Sequence, residues 1–232
     1  MVAAALMLGG CGGAAAEDAD LVAGKEAFID RCGSCHVLQR AGTQGKKGPS
    51  LDAAFTRSLI DGFNRKGVQG VVLQQILYPS RLPPDHPAYM PPDLVTGQMA
   101  ENVAAYVAYA TSRPGEDEGA LAEAGRSDFP PGSGGAVFAD GTQQAQACGQ
   151  CHTLSDAGTQ ATIGPDLDQT LQGDSAEQIR RSIVAPDAEI AQGFAPGVMP
   201  KDYGQTLTKE ELDRLVEYLA QVSGGGGGGQ GG

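Results

Sequence analysis

The 232-residue chain has no tryptophan, only six Phe and six Tyr, and only three His. Aromatic rings bring the largest apolar area to small cores. Small domains with so few of them struggle to bury enough surface. No run of 18 or more apolar residues occurs, which excludes a conventional membrane-spanning helix. Cations are scarce as well. Sixteen Lys and Arg face 28 Asp and Glu, for a formal charge of -12 and a pI near 4.5. That balance repels polyanions and excludes a nucleic-acid partner. No Ser-His-Asp set, phosphate loop or metal cluster stands out. Glycine is abundant instead, at 35 residues, with 14 prolines. Something other than side chains is expected to fill the core.

The cysteines supply the strongest signal. Of five, four form two C-x-x-C pairs, and each pair runs directly into a histidine: Cys32-Gly33-Ser34-Cys35-His36 and Cys148-Gly149-Gln150-Cys151-His152. Residues three apart share one face of a helical turn, so both sulfurs of a pair can reach one edge of a planar ligand. The next residue then points its imidazole at the centre of that ligand. C-x-x-C-H reads as a c-type haem attachment site. A structural disulfide has no use for the histidine. A thioredoxin-like pair expects a βαβ setting that is missing here, and a four-cysteine zinc site expects pairs far closer together than the 116 positions seen. The fifth cysteine ends a short apolar segment, Leu8-Gly9-Gly10-Cys11. This resembles a bacterial lipoprotein signal, although Met1-Val2 supplies no basic start.

The chain repeats itself. Gly24-Lys25-Glu26-Ala27-Phe28 precedes the first haem motif and Gly134-Gly135-Ala136-Val137-Phe138 the second. Gly48-Pro49-Ser50-Leu51 and Gly164-Pro165-Asp166-Leu167 follow, again 116 apart. Met90-Pro91 and Met199-Pro200 then lead into amphipathic helices, where Ala100, Val103, Tyr106 and Val107 match Leu212, Leu215, Tyr218 and Leu219. The expected organisation is a signal and tether over 1–23, one unit over 24–112, a linker over 113–133, a second unit over 134–222 and a Gly-rich tail over 223–232. Asp20 is expected to cap a first helix with Leu21, Phe28 and Cys32 on one face. Middle helices are expected near Val68–Leu77 and after Ser175, and a closing helix at Thr208 with Glu211 completing a capping box. No strands are expected. The second unit carries six extra residues between Phe138 and Cys148.

Four landmarks in the same order in each unit, Gly-x-x-x-Phe, C-x-x-C-H, Gly-Pro-x-Leu and Met-Pro before a closing helix, resemble the class I (mitochondrial-type) cytochrome c family. The whole resembles its dihaem lipoprotein form. The resemblance implies an all-α fold of two tandem domains, each wrapped around a covalently bound haem c. It implies thioether bonds from Cys32, Cys35, Cys148 and Cys151. It implies proximal iron ligands His36 and His152 oriented by the carbonyls of Pro49 and Pro165, distal ligands Met90 and Met199, and lipid attachment at Cys11. For the first haem His86 is a rival to Met90. Met99 fits an apolar helix face and is expected in the core. Tyr106 and Tyr218 are expected against Phe28 and Phe138, and Asp166 and Asp168 in solvent.

Iron ligated by His and Met passes one electron and has no vacant position for oxygen or peroxide; thioether ligation raises its potential. The implied role is a membrane-tethered electron carrier outside the cytoplasm, an electron-transfer protein and not itself an enzyme. Its partners would be a quinol-oxidising complex or dehydrogenase on one side and a terminal oxidase on the other. Alternatives are a fixed cytochrome subunit of a larger oxidoreductase, or a dihaem peroxidase or thiosulfate-oxidising enzyme. Charge is uneven: residues 24–112 carry nine basic and seven acidic side chains, whereas 134–222 carry five and thirteen. The acidic unit is expected to steer toward a basic partner surface.

Overall fold

The computed structural model describes residues 19–84, 86, 88–113 and 115–224. Cys11 and its flanking tether lie outside these, as does the Gly-rich end from 225. The chain is mostly helical. In its first half, α1 (Leu21–Arg31) begins where the Asp20 carboxylate accepts the N–H groups of Val22 and Ala23, satisfying two donors that a helix start leaves free. Two short strands follow, β1 (Val37–Leu38) and β2 (Thr43–Gln44), then α2 (Leu51–Ile60), α3 (Arg65–Leu77) and α4 (Gly97–Ser112). α1 and α3 both pack on α4. Gly24 sits at the α1–α4 crossing, where a Cβ would lie 2.2 Å from the Asn102 carbonyl oxygen. The helices therefore approach to backbone contact. Phe28, Leu38, Val68, Val103, Tyr106 and Val107 fill the core beside that crossing.

The second half repeats the plan with shorter pieces. α6 (Gly134–Asp140) crosses α10 (Lys209–Val222), and α8 (Ala176–Val184) packs on α10. Between them lie β3 (Thr153–Leu154), β4 (Thr159–Gln160), the single-turn α7 (Leu167–Thr170) and the single-turn α9 (Tyr203–Thr206). Gly134 occupies the crossing, with a Cβ position 2.1 Å from the Arg214 carbonyl oxygen. The core here is Phe138, Leu154, Ile179, Ile183 and Leu215, a separate buried cluster from the first. Ser175 and Thr208 each close a two-way capping box, with Gln178 and Glu211 respectively. Among the described residues no helix is long and apolar enough to cross a membrane.

Two features depart from the sequence reading. The β1–β2 and β3–β4 antiparallel ladders exist, each only two residues long. Thr43 and Thr159 hydroxyls accept from the N–H groups of Leu38 and Leu154, and Gly42 and Gly158 turn the chain in the left-handed region. Ladders this short carry no period-2 pattern to read. Met99 is 38 % exposed rather than in the core, because the buried stripe of α4 runs through Ala100, Val103, Ala104 and Val107. Described residues of the connecting segment 113–133 make contacts with both halves. It contains α5 (Ala120–Glu123), and Ala124 is buried. The Asp117 carboxylate is held by Lys25, Arg40 and Tyr106, while the ring of Phe129 meets Tyr218 edge-on at 5.4 Å.

Candidate haem-attachment site

Cys32 closes α1, its N–H bonded to the Phe28 carbonyl, and the N–H of His36 returns to the Cys32 carbonyl. This keeps the first C-x-x-C-H in one helical turn. In the second half the helix stops at Asp140, and the motif forms its own 3-10 turn over Cys148–Gln150, with the His152 N–H on the Cys148 carbonyl. All four thiols are free of disulfides. Burial pushes the Cys32 and Cys148 thiols up to about 12, each reinforced by the second cysteine of its pair. Burial raises Cys151 to about 11, with Cys35 adding to the rise and Lys47 opposing it.

The two imidazoles are set identically. Nδ1 of His36 lies 2.9 Å from the Pro49 carbonyl oxygen, and Nδ1 of His152 lies 2.9 Å from that of Pro165. A carbonyl can only accept, so Nδ1 of each ring carries the hydrogen, and in the neutral ring this leaves the Nε2 lone pair free. That tautomer is the one a metal needs. Burial lowers the His152 pKa, partly offset by the bond to Pro165, and favours the neutral ring. Glycine is required in front of each ring: a Cβ on Gly48 would lie 2.4 Å from His36 Cε1, and one on Gly164 2.5 Å from His152 Cε1. The Gly-Pro dipeptide is thus a cradle in which glycine admits the imidazole and the proline carbonyl orients it.

Met90 packs at the edge of the first core and Met199 at the edge of the second. The Gln75 amide lies 3.7 Å from the Met90 sulfur. Asp93, three residues beyond Met90, has φ +57, the one non-glycine residue with positive φ among those described. Such a conformation persists only where the surrounding structure enforces it. His86 is exposed, and its Nδ1 accepts from the Ala88 N–H.

Several supporting residues escaped the sequence reading. Asp187 brackets Met199: its carboxylate accepts from the Gly197 N–H at 2.9 Å and pairs with Lys201 on the far side of the methionine. Hydrogen bonds from Lys201 and Gly197 hold its pKa below the usual range. Thr43 and Thr159 donate to the carbonyls of His36 and His152, both at 2.9 Å. Asp168, expected in solvent, binds the N–H and hydroxyl of Ser155, and Asp166 caps α7. Asp52 makes the equivalent bond to the Gln39 N–H. The 116-residue offset links Thr43 to Thr159 and Asp52 to Asp168, so a column-by-column comparison of the repeats could have found both pairs. Asp187 has no such signal.

The donor set fits haem c: two free thiols three residues apart, a neutral imidazole with its outer nitrogen available, and a thioether at the rim of the same core. The partly buried Leu51, Phe55, Leu59 and Leu73 add apolar surface at the edge of the first core. Residues 138–223 match the Cytochrome c family model. No curated protein matches the chain. The second half, from Phe138 in α6 to the end of α10, is therefore a cytochrome c domain. Such a domain binds haem c covalently and works in electron transfer.

Proposed function

We propose that the chain is a dihaem c-type cytochrome, with a second cytochrome c domain over 24–112, that relays single electrons between respiratory oxidoreductases outside the cytoplasm. The observation that carries this reading is the repetition of one cradle. His36 with Gly48 and Pro49 repeats the contacts of His152 with Gly164 and Pro165: Nδ1 lies 2.9 Å from the proline carbonyl in both, and the glycine Cβ position 2.4 and 2.5 Å from Cε1. Haem c held in each half supplies one reversible electron. Cys32, Cys35, Cys148 and Cys151 form the thioethers. His36 and His152 would bind the metal through Nε2, while Thr43, Thr159, Pro49 and Pro165 fix the loops that carry them. Met90 and Met199 would supply a thioether ligand to each metal and leave no position for small ligands; Gln75 and Asp187 steady the segments that carry them.

A carrier of this kind works beside its partners. Leu8-Gly9-Gly10-Cys11 supports a lipid tether, which would confine it near a quinol-oxidising complex or dehydrogenase and a terminal oxidase at high effective concentration. The test is intact mass of protein matured in a host with c-type cytochrome assembly, followed by carbon monoxide titration of the reduced form. Two haem additions and no prompt carbon monoxide binding are expected. A single addition rejects the dihaem reading, and prompt binding rejects Met ligation at that haem.

A further inference from the structure

The six residues by which the second half departs from the first have a definite place. α6 ends at Gly141, whose φ is +74, and the Thr142 N–H bonds back to the Ala145 carbonyl. The resulting loop projects toward the first half. Its Thr142 carbonyl accepts from the Gln44 side chain at 2.9 Å. Its Gln146 amide reaches the carbonyl of Ser34 at 3.4 Å and the Gln150 side chain at 3.0 Å. Tyr203 supports it from behind, donating to the Gln146 carbonyl at 3.1 Å. Ser34 lies inside the first C-x-x-C and Gln150 inside the second. Gln150 is buried at 6 % exposure, and its amide nitrogen lies 3.3 Å from the Cβ position of Gly33. Beside this contact Lys46 pairs with Asp202 at 3.0 Å.

We propose that the inserted loop docks the two haem-attachment turns on one another, making an internal junction through which an electron passes directly between the halves. The inference rests on the dihaem reading. Thioether bonds tie one edge of each porphyrin to its cysteines, so turns in contact bring the two bonded edges together. The transfer is of one electron: one half is oxidised, the other reduced, and no bond or proton changes. Gln146, Gln150 and Lys46 are positioning residues for this step, because they touch the neighbouring turn or its flank. The linker acts with them. Asp117 anchors its start on the first half and Phe129 its end on the second, which limits the excursions open to the halves.

The test uses the full, matured holoprotein. Intact mass first counts haems: fewer than two in the wild type rejects the dihaem reading, and the junction with it. With two present, Soret circular dichroism reports whether the porphyrins are held close in fixed orientation, and flash photoreduction gives the rate of exchange between halves. The wild type is expected to show a two-signed Soret couplet. Lys46→Glu/Gln146→Glu sets like charge against Asp202 and a carboxylate against the Ser34 carbonyl. It is expected to keep both haems, lose most of the couplet and slow exchange by about tenfold or more, since small displacements of reacting partners cost rate steeply. The charge swap Lys46→Glu/Asp202→Lys is expected to retain the couplet. Gln44→Ala/Gln146→Ala removes both amide bridges without adding charge and should weaken the couplet in the same direction. Two haems with couplet and exchange rate unchanged in both double variants that break the contacts would overturn the junction.

Discussion

At the scale of single residues, steric room decides as much as donor chemistry. Gly164 leaves space for the His152 ring and for nothing more, so Gly164→Ala must displace the imidazole from the Pro165 carbonyl. Overpacking of this kind costs about 1–3 kcal/mol. Thermal unfolding of the holoprotein should show the loss together with an altered haem spectrum; an unchanged melt and spectrum would reject the cradle. Asp117 illustrates the electrostatic side. Burial alone would raise its pKa, but bonds from Arg40, Lys25 and Tyr106 outweigh that and hold it low. A carboxylate depressed on folding stabilises above its unfolded value, about 3.9, and that contribution disappears as pH falls through the folded value. Asp117→Ala leaves two buried cations short of a partner and should cost about 3–5 kcal/mol at neutral pH. It should also flatten the acid limb of the stability profile. An acid limb identical to wild type would sink this assignment.

At the scale of elements, the two halves use the same helices but secure them differently. α1 and α6 each cross a closing helix over a glycine, and ring centroids of Phe28–Tyr106 and Phe138–Tyr218 lie 6.4 and 6.3 Å apart. α10 depends on its capping box, whereas α4 starts at Thr96 without a side-chain cap and is held by a longer buried stripe. Thr208→Ala should therefore destabilise the second core by about 1 kcal/mol, read as an earlier melt of that half with the first unaffected. Equal shifts in both halves would show that α10 is not an independent element of the second core. The helix starts at Asp20, Ser175 and Thr208 were legible because caps are local rules of three or four residues. The two-residue ladders were not, since they carry no periodicity; α2 went unread although Ser50 caps it and Leu51, Phe55 and Leu59 recur four residues apart on its core-facing side.

At the scale of the whole molecule, charge serves two ends. Lys46 of the mildly basic half meets Asp202 of the acidic half, so part of the asymmetry is spent inside the chain. The acidic surface that remains should favour cationic redox reagents. Electron exchange with a small cationic oxidant should slow as salt rises past the point where the screening length is about 8 Å, and exchange with an anionic one should not. Equal salt dependence for both would remove electrostatic steering. The C-x-x-C-H motifs, the Gly-Pro cradles and the Met-Pro segments could be read directly from the chain, because each is a pattern of a few residues at fixed spacing. The inserted loop was visible as a difference in length, but its use was not. Which surfaces of the two halves meet, and which distant carboxylate braces Met199, depend on where separately folded segments come to rest. Only the packed structure brings Gln146 to Ser34, Asp202 to Lys46 and Asp187 to Lys201, since those pairings arise from the fit of whole surfaces and leave no regular pattern along the chain.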